Sequence, residues 1–202
     1  MASKFMKVLL TEPVRRAQQD TYGRCLAIGN APASDVLTED EVQFIAARDS
    51  LYLATVNEDG WPYIQHRGGP PGFVQALDAR TLAFADYRGN RQLLTAGHLR
   101  ANDKVALFLM DYPNQTRLKV IGYAHSETAA SHESLLTYLP AAERRLVERV
   151  IVITVVGFDW NCPQHITPRY TAEQVENYIA PPHARIAELE RQLPATVLNP
   201  GP

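Results

Sequence analysis

The hydrophobic and polar positions along the chain change period several times, and each change predicts an element. Thr38, with Glu41 three residues later, forms a capping box ahead of helically spaced apolar positions, which predicts a helix to about Ala47. From Ser50 onward the apolar runs are short and rich in β-branched residues, a pattern typical of strands. The predicted strands span 51–56, 61–66, 73–77, 82–85, 105–110, 118–124 and 150–156.

The segments between these strands predict how the strands connect. The Asp-Gly pair within 57–60 predicts a hairpin, and 78–81 predicts a second one. A helix is expected over about 90–99, and the pattern over 127–149 is helical with a break near Pro140. Six or seven strands with few helices predict a mainly β fold with flanking helices, arranged as a closed or nearly closed barrel.

The two ends of the chain differ from this central part. Residues 1–37 have weak periodicity and several small or turn-forming residues, which predicts an irregular N-terminal arm. The barrel is expected to occupy 38–170. Residues 171–202 read as a C-terminal helical tail in which Pro181 and Pro182 break the helical pattern.

Composition narrows the functional classes. The chain has 202 residues, 46% of them hydrophobic, enough for one well-filled domain. Twenty basic against 22 acidic residues provide no overall field for nucleic acid or an anionic membrane, so any anion site has to be local. Cys25 and Cys162 lie far apart, and no apolar run reaches membrane-spanning length. We therefore expect a soluble cytoplasmic protein.

One such local site is indicated by 85–92, which reads ADYRGNRQ between a strand and a helix. Arginine forks and free amide donors at a helix start suit a phosphate. The pattern places Arg91 and Gln92 in the first turn of that helix, where a cation opposes the helix dipole unless an anion is shared. The alternative is a solvated turn whose arginines pair with Asp86 or a nearby glutamate.

Three further groups combine cations, amides or rings in a way that suits an anionic or aromatic ligand. The run 65–69, Gln-His-Arg-Gly-Gly, ends a strand and lets another group approach the backbone. Arg117 and Lys119 alternate with apolar residues and therefore share one sheet face. The loop after Trp160 carries Gln164 and His165 and is stiffened by proline. Cys162 and His165 have a ligand-like spacing but no partner pair, so no metal site is expected.

The order of these motifs resembles the FMN-binding split-barrel family of pyridoxine 5'-phosphate oxidase over about residues 38–170. The segments that carry the resemblance are LATVNEDGWPYIQHRGG, LAFADYRGNRQ and VALFLMDYPNQTRLKVIGYA. The resemblance implies a homodimer with two FMN sites at its interface. It implies FMN-binding roles for Gln65, His66, Arg67, Gly68, Asp86, Asn90, Arg91, Gln92, Arg117 and Lys119, to which the local pattern adds Trp160, Gln164 and His165.

The resemblance leaves the substrate open. The oxidase has leucines and a lysine where this chain has 68–71, Gly-Gly-Pro-Pro, so the expectation is the broader flavin-nucleotide-binding branch. An FMN-dependent oxidoreductase acting on a small molecule is expected, with a nicotinamide electron donor possible although no Gly-x-Gly-x-x-Gly motif is present. His66 and His165 are the only acid-base candidates. The competing hypotheses are a non-catalytic flavin-binding or sensing protein, and a related barrel that takes a deazaflavin or haem.

Overall fold

A computed structural model describes residues 3–139, 141–160 and 164–192 as seven strands with flanking helices. The strands are β1 (Ser50–Val56), β2 (Pro62–Gly68), β3 (Val74–Asp78), β4 (Thr81–Tyr87), β5 (Lys104–Asp111), β6 (Thr116–Thr128) and β7 (Val147–Trp160). The α-helices are α1 (Ser3–Leu9), α2 (Glu12–Tyr22), α3 (Glu39–Ala46), α4 (Leu94–Ala101), α5 (Ala141–Arg144) and α6 (Ala172–Gln192). A 3-10 helix spans Ala129–Tyr138.

All seven strands belong to one antiparallel sheet of order β2-β1-β5-β6-β7-β4-β3. The edge strands β2 and β3 follow one another along the chain, and the loop 69–73 joins them. The prediction of a mainly β split barrel with flanking helices is confirmed. Both predicted hairpins are also confirmed, β1 with β2 and β3 with β4.

The barrel interior follows from the alternation of apolar residues along the strands. Leu51 and Leu53 of β1, and Leu118 and Val120 of β6, are almost completely buried. They pack with residues from the other strands and from α3: Ile45, Phe73, Val74, Leu82, Phe84, Val105, Leu107, Leu109, Ile151, Ile153 and Val155. A second, smaller cluster forms where Leu135, Leu136 and Leu139 cover the opposite face of β4 and β7.

Helix α3 begins as the sequence predicts. The capping box is complete: the Glu41 carboxylate accepts hydrogen bonds from the Thr38 backbone N–H at 2.8 Å and the Thr38 hydroxyl at 2.6 Å. The pKa of Glu41 lies below its ordinary value. Burial by itself raises that pKa, and the hydrogen bonds donated by Thr38 and Trp160 together outweigh the burial.

The expectation of an irregular N-terminal arm is wrong over 3–22, which form α1 and α2. The start of α2 carries Pro13, a residue that fits a first helical turn because no intrahelical N–H bond is lost there. Gly23 ends the helix in the left-handed conformation, with φ of 66°. These cap signals were present in the sequence, but α2 buries no residue, so no apolar stripe accompanied them.

Helix α1 is fixed to β7 by a buried carboxylate and a glycine. The Asp35 carboxylate accepts hydrogen bonds from the backbone N–H groups of Lys4, Phe5 and Phe158, each at 3.3 Å. A Cβ on Gly157 would lie 2.6 Å from the Phe5 nitrogen. The absence of a side chain at Gly157 therefore permits the close approach of α1 to the sheet.

Three other predicted helical segments differ from the structure. The helix expected from 90 begins only at Leu94. The region 127–149 holds the 3-10 helix and α5, while β6 runs to Thr128 and β7 starts at Val147; the predicted break at Pro140 lies outside the described residues. The tail forms one helix, α6, that continues through Pro181 and Pro182, so the predicted separation into two pieces is wrong.

Within the described ranges, no helix combines the length and the apolar character that crossing a membrane requires. The domain boundaries at 37/38 and 170/171 remain predictions.

Candidate anion-binding site

An open depression of about 430 Å³ lies where β2, the end of β4, the start of α4 and the start of β7 meet. The strands contribute polar side chains, and the loop 88–93 forms its rim. The lining residues are Tyr63, Gln65, Arg67, Asp86, Tyr87, Gly89, Asn90, Arg91, Gln92, Leu93, Leu94, Thr95, Ala96, Glu148 and Arg149. Six of the residues proposed from the sequence are therefore brought together: Gln65, Arg67, Asp86, Asn90, Arg91 and Gln92.

Strand β2 directs Gln65 and Arg67 into the depression, because alternate residues of a strand share a face. Arg67 forms an ion pair with Asp86 and donates a hydrogen bond from Nη2 to the Thr95 hydroxyl at 3.2 Å. That hydroxyl donates in turn to Gln65 Oε1 at 3.0 Å. The Nε of Arg67 is buried and has no hydrogen-bond partner among the described residues. Arg67 is thus held in place with one donor unused.

The carboxylate of Asp86 lies between two arginines. Arg149 Nε donates to Asp86 Oδ2 at 3.0 Å, and Arg149 Nη1 lies 3.3 Å from Glu148 Oε2. Only 5% of Asp86 is exposed, so the two guanidinium groups compensate a buried negative charge. Sequence reasoning missed Arg149 because its place depends on the pairing of Asp86 with Arg149 between β4 and β7, two strands more than 60 residues apart along the chain.

The loop 88–93 has an unusual backbone. Arg91 and Leu93 have φ values of 62° and 56°, in the left-handed region that non-glycine residues seldom occupy. The Asn90 side chain supports the turn by accepting a hydrogen bond from the Gln92 N–H at 3.2 Å. The expectation that Arg91 and Gln92 lie in the first turn of α4 is therefore wrong. Both precede the helix, and Leu93 occupies its N-cap position.

Helix α4 begins without a side-chain cap. The N-cap residue Leu93 has no hydrogen-bonding side chain, and the first turn contains no acidic residue. Leu94, Thr95 and Ala96 of this turn all line the depression. The positive end of the helix dipole and the N–H groups at the start of the helix are thus available to a negatively charged ligand.

The two arginines of the loop differ in their surroundings. Arg88 Nε lies 3.6 Å from Glu148 Oε1, and Arg88 does not line the depression. Arg91 lines it, is exposed, and forms no ion pair among the described residues. The depression holds three arginines, Arg67, Arg91 and Arg149, against the carboxylates of Asp86 and Glu148. Together with the start of α4, this excess of positive charge suits an anion.

Tyr87 adds a phenol to the wall. Burial raises its pKa, and the neighbouring Glu143 carboxylate, 3.5 Å from the hydroxyl, raises it further. The phenol therefore stays protonated at neutral pH and serves as a hydrogen-bond donor.

His66 and Gly68 were expected beside Arg67, but the structure places them on the other face of β2. His66 is exposed and packs edge to face against Tyr52, with ring centroids 5.7 Å apart. A Cβ on Gly68 would lie 3.2 Å from His66 Cε1, which confirms that the two residues share a face. The period of two along a strand separates them from Gln65 and Arg67.

Arg117 and Lys119 share one face of β6, as predicted, but this is the outer face of the barrel and not the depression. Lys119 Nζ pairs with Asp159 at 2.7 Å and lies 5.0 Å from the centre of the Phe5 ring. Arg117 lies over the Phe108 ring at 5.7 Å, and its buried Nε has no hydrogen-bond partner among the described residues. Within one chain, neither residue reaches the depression.

The candidates after β7 lie elsewhere. Trp160 turns toward α3: its Nε1 donates to Glu41 Oε1 at 2.6 Å, and its ring packs edge to face on Phe44 at 4.8 Å. Gln164 and His165 are exposed in a turn where His165 has φ of 66°. Residues 161–163, including Cys162, lie outside the described residues. In the described part of the chain, no group of three or more His, Cys, Asp or Glu residues could hold a metal ion.

The comparison with protein families identifies the class of protein. The family model of pyridoxamine 5'-phosphate oxidase matches residues 37–157, well over half of the chain. The chain therefore belongs to the pyridoxamine 5'-phosphate oxidase family. A comparison with curated protein sequences gives no match.

Solved structures share this fold at low sequence identity. HupZ of Group A Streptococcus is 16% identical, with a TM-score of 0.50; the alignment covers 66% of this chain and 99% of HupZ. A putative pyridoxamine 5'-phosphate oxidase from Lactobacillus delbrueckii is 22% identical, with a TM-score of 0.48, and the alignment covers 61% of this chain and 93% of that one.

Proposed function

We propose that this protein binds FMN, with the phosphate in the depression, and acts as an FMN-dependent oxidoreductase on a small molecule. The observation that carries the proposal is the uncapped start of α4, which opens into a depression where Arg91 has no ion-pair partner among the described residues. A phosphate dianion offers several acceptor oxygens, and the helix N–H groups and a guanidinium are matching donors.

The residues in the depression fit such a ligand. Arg67 keeps a buried Nε without a hydrogen-bond partner among the described residues, and Asp86 and Thr95 fix the orientation of its guanidinium group. Arg149 also forms an ion pair with Asp86. The Asp86 carboxylate therefore does little to neutralise the positive charge of Arg91 and of the start of α4. Asn90 and Gln92 on the rim add amide groups. These groups would hold the phosphate end of the cofactor.

We further propose that the functional unit is a homodimer. The outer face of β1, β2, β5 and β6 carries exposed apolar side chains, with Ile64 66%, Tyr123 45% and Tyr52 41% exposed. A groove of about 1020 Å³ crosses this face beside α1. Large exposed apolar areas of this kind are typical of interfaces.

The same outer face carries His66, Arg117 and Lys119, the expected cofactor residues that lie outside the depression. Cross-strand pairing aligns Tyr52 with His66 and with Phe108, and Phe108 with Lys119. A second copy packed on this face would place these residues at the interface, where they could complete the partner's FMN site. The Nε of Arg117, which has no hydrogen-bond partner in the described part of the chain, supports this assignment.

In such a complex, bound FMN supplies two-electron transfer. The side chains of this chain would bind and orient the cofactor: Arg91 and the start of α4 at the phosphate, with Arg67 held rigid beside them. The Tyr87 phenol, protonated at neutral pH, lies in the wall of the depression and donates its hydrogen bond to Glu143 Oε2 at 3.5 Å. His66 and His165 are both exposed, and within the described ranges neither has a contact that marks it as an acid or base.

Mass spectrometry of the small molecule released from natively purified protein tests the cofactor. We expect FMN, close to one per chain, in protein that elutes as a dimer. Release of haem or a deazaflavin would overturn the FMN assignment.

Steady-state oxidation of NADH or NADPH by the FMN-loaded protein separates an enzyme from a flavin carrier. Turnover with an electron acceptor supports the oxidoreductase. Absence of turnover with every electron donor supports the sensing protein.

A further inference from the structure

The C-terminal helix α6 has an apolar stripe that none of the described residues of its own chain covers. None of its 21 residues is buried. At 1.5 Å per residue the helix is about 31 Å long. Its exposed apolar side chains include Ile186 and Leu189, which are 52% and 44% exposed. A long helix that buries nothing gains no tertiary packing from its own domain.

The start of α6 is fixed on the barrel. Gln115 Nε2, in the turn between β5 and β6, donates to the Ile166 carbonyl at 2.7 Å, and Ile166 is buried. The Arg169 guanidinium lies over the Tyr112 ring at 4.9 Å. Pro113 and the first turns of α6 line a shared depression. The helix therefore leaves the barrel at a defined point, and its later turns extend beyond it.

Two adjacent prolines make an isolated helix of this sequence unfavourable. A proline in a helix interior costs about 3 kcal/mol because it removes an intrahelical hydrogen bond and crowds the preceding turn. Pro181 and Pro182 both lie in the middle of α6. A helix that continues through them without packing on its own domain needs stabilisation from another surface.

The apolar residues of α6 repeat with the spacing of a coiled coil. They occur at alternating intervals of three and four: Ala172, Val175, Ile179, Pro182, Ile186 and Leu189. With Ile179 and Ile186 at the a positions, Leu189 falls at d. β-branched residues at a with leucine at d favour two parallel strands.

The charges beside this stripe favour the same direction. In this register Arg185 is at position g and Glu190 at the following e position, so a parallel pair brings Arg185 of one helix opposite Glu190 of the other. In the single chain Arg185 contacts Glu188 at 2.7 Å, but both side chains remain about half exposed or more. Arg185 can therefore give up its contact with Glu188 and pair with Glu190 of the other helix.

We propose that α6 pairs in parallel with α6 of a second copy of this chain, burying the stripe from Ile179 to Leu189. The helix pair is a contact between copies separate from the outer face of the barrel. It does not depend on FMN binding or on the oxidoreductase activity.

Site-specific disulfide formation in the full-length protein tests the pairing. Cys25 and Cys162 are first replaced by serine. Leu189→Cys then places a thiol at a d position, and Arg191→Cys, two residues away at the outward f position, is the matched control. In a parallel pair the same d residue of each chain faces its copy, whereas the f positions lie on opposite sides. We expect the Leu189→Cys chain to form covalent dimers about tenfold faster than the control.

Equal rates for the two variants would overturn the proposal, as would cross-linking only in a chain that carries both Ala172→Cys and Leu189→Cys, because an a position faces a d position in an antiparallel pair. Docking of α6 on the partner's barrel would also contradict the proposal, and in that case Leu189→Cys would not cross-link to the same residue of the second copy.

A charge exchange supplies a second measurement. Arg185→Glu and Glu190→Arg, each placed in the Leu189→Cys chain, are expected to slow its disulfide formation. The double variant is expected to restore the rate, and no restoration would contradict the parallel register. FMN content serves as an independent readout that none of these variants is expected to change.

Discussion

Arg88 and Arg91 lie three residues apart in one loop, yet only Arg91 lines the depression. We expect Arg91→Ala to weaken FMN binding more than Arg88→Ala, because Arg88 pairs with Glu148 and does not line the depression. Loss of a charged hydrogen-bond partner costs on the order of 1.5–3 kcal/mol, or roughly ten- to a hundredfold in affinity. Titration of apo-protein by flavin fluorescence quenching measures both variants. Equal losses, or a larger loss for Arg88→Ala, would show that Arg91 is not the phosphate ligand.

The indole of Trp160 joins the end of β7 to α3 through Glu41. We expect Trp160→Phe to lower the free energy of unfolding above about pH 4.5 by about 1.5–3 kcal/mol, since a hydrogen bond to a charged group is lost. The pKa of Glu41 is lowered in the folded state, so its contribution to stability is present above the ordinary pKa and is lost as the pH falls through the folded pKa. The difference between the variant and the parent protein is therefore expected to shrink below about pH 4.5.

Urea unfolding at several pH values measures this difference. Trp61→Phe is the control, because Trp61 is 73% exposed and the substitution is expected to change little. A constant difference between Trp160→Phe and the parent down to pH 3 would contradict the role of Glu41.

At the residue scale, the sequence predicted the chemistry of the site better than its geometry. The cluster of Arg67, Asp86 and Arg91 could be predicted because the motifs that carry them are local. The separation of His66 from Arg67 follows from the strand period, which places neighbouring residues of the run 65–68 on opposite faces of β2. Arg149 could not be found, because its contact with Asp86 depends on long-range register.

At the scale of elements, the contact between α1 and β7 depends on Gly157. We expect Gly157→Ala to destabilise the protein by about 1–3 kcal/mol, because the added Cβ would meet the backbone of Phe5 and force α1 away from the sheet. Gly29→Ala is the matched control, since no atom lies within 4 Å of a Cβ there. Thermal unfolding measures both variants, and limited proteolysis of residues 3–9 reports whether α1 has been released. An unchanged midpoint for Gly157→Ala would show that α1 does not contribute to stability.

Elements with strong local signals were predicted well. The hairpin at 57–60 and the capping box at Thr38 depend only on neighbouring residues, and both are confirmed. The start of α4 was misplaced because Arg91 and Leu93, on either side of Gln92, adopt the left-handed conformation and delay the helix. Non-glycine residues give no warning of such a backbone. The continuity of α6 through Pro181 was missed because proline normally ends a helix.

At the scale of the whole molecule, the proposed FMN site would draw on two chains. Arg91→Glu and Arg117→Glu are each expected to abolish FMN retention in homodimers, because a carboxylate then faces the anionic cofactor. In a twofold heterodimer both changes fall on one site and the other site is intact. Random assortment gives about half heterodimers, so co-refolded chains are expected to regain about a quarter of the parent FMN content. A mixture that stays empty, although mass analysis confirms the heterodimer, would show that Arg91 of one chain and Arg117 of the other do not belong to the same site.

The overall architecture was predictable because a run of short strands with few helices allows few arrangements, and a barrel is one of them. The order of strands was not predictable, because β1 pairs with β5 and β4 with β7 across long stretches of chain. The outer apolar face could not be recognised either, since its residues come from four strands whose register is set only in the folded sheet.

The position of β2 at the edge of the sheet has a consequence for local opening. β2 is hydrogen-bonded on one side only, by β1, whereas β6 and β7 lie in the middle of the strand order and pair from Leu118 to Thr128. Amide hydrogen exchange is therefore expected to be slowest in β6 and β7 and much faster in β2. Because Gln65 and Arg67 lie on β2, a ligand in the depression would slow exchange in this edge strand selectively. The backbone amides that become protected when the ligand binds would then locate the site without any substitution in the chain.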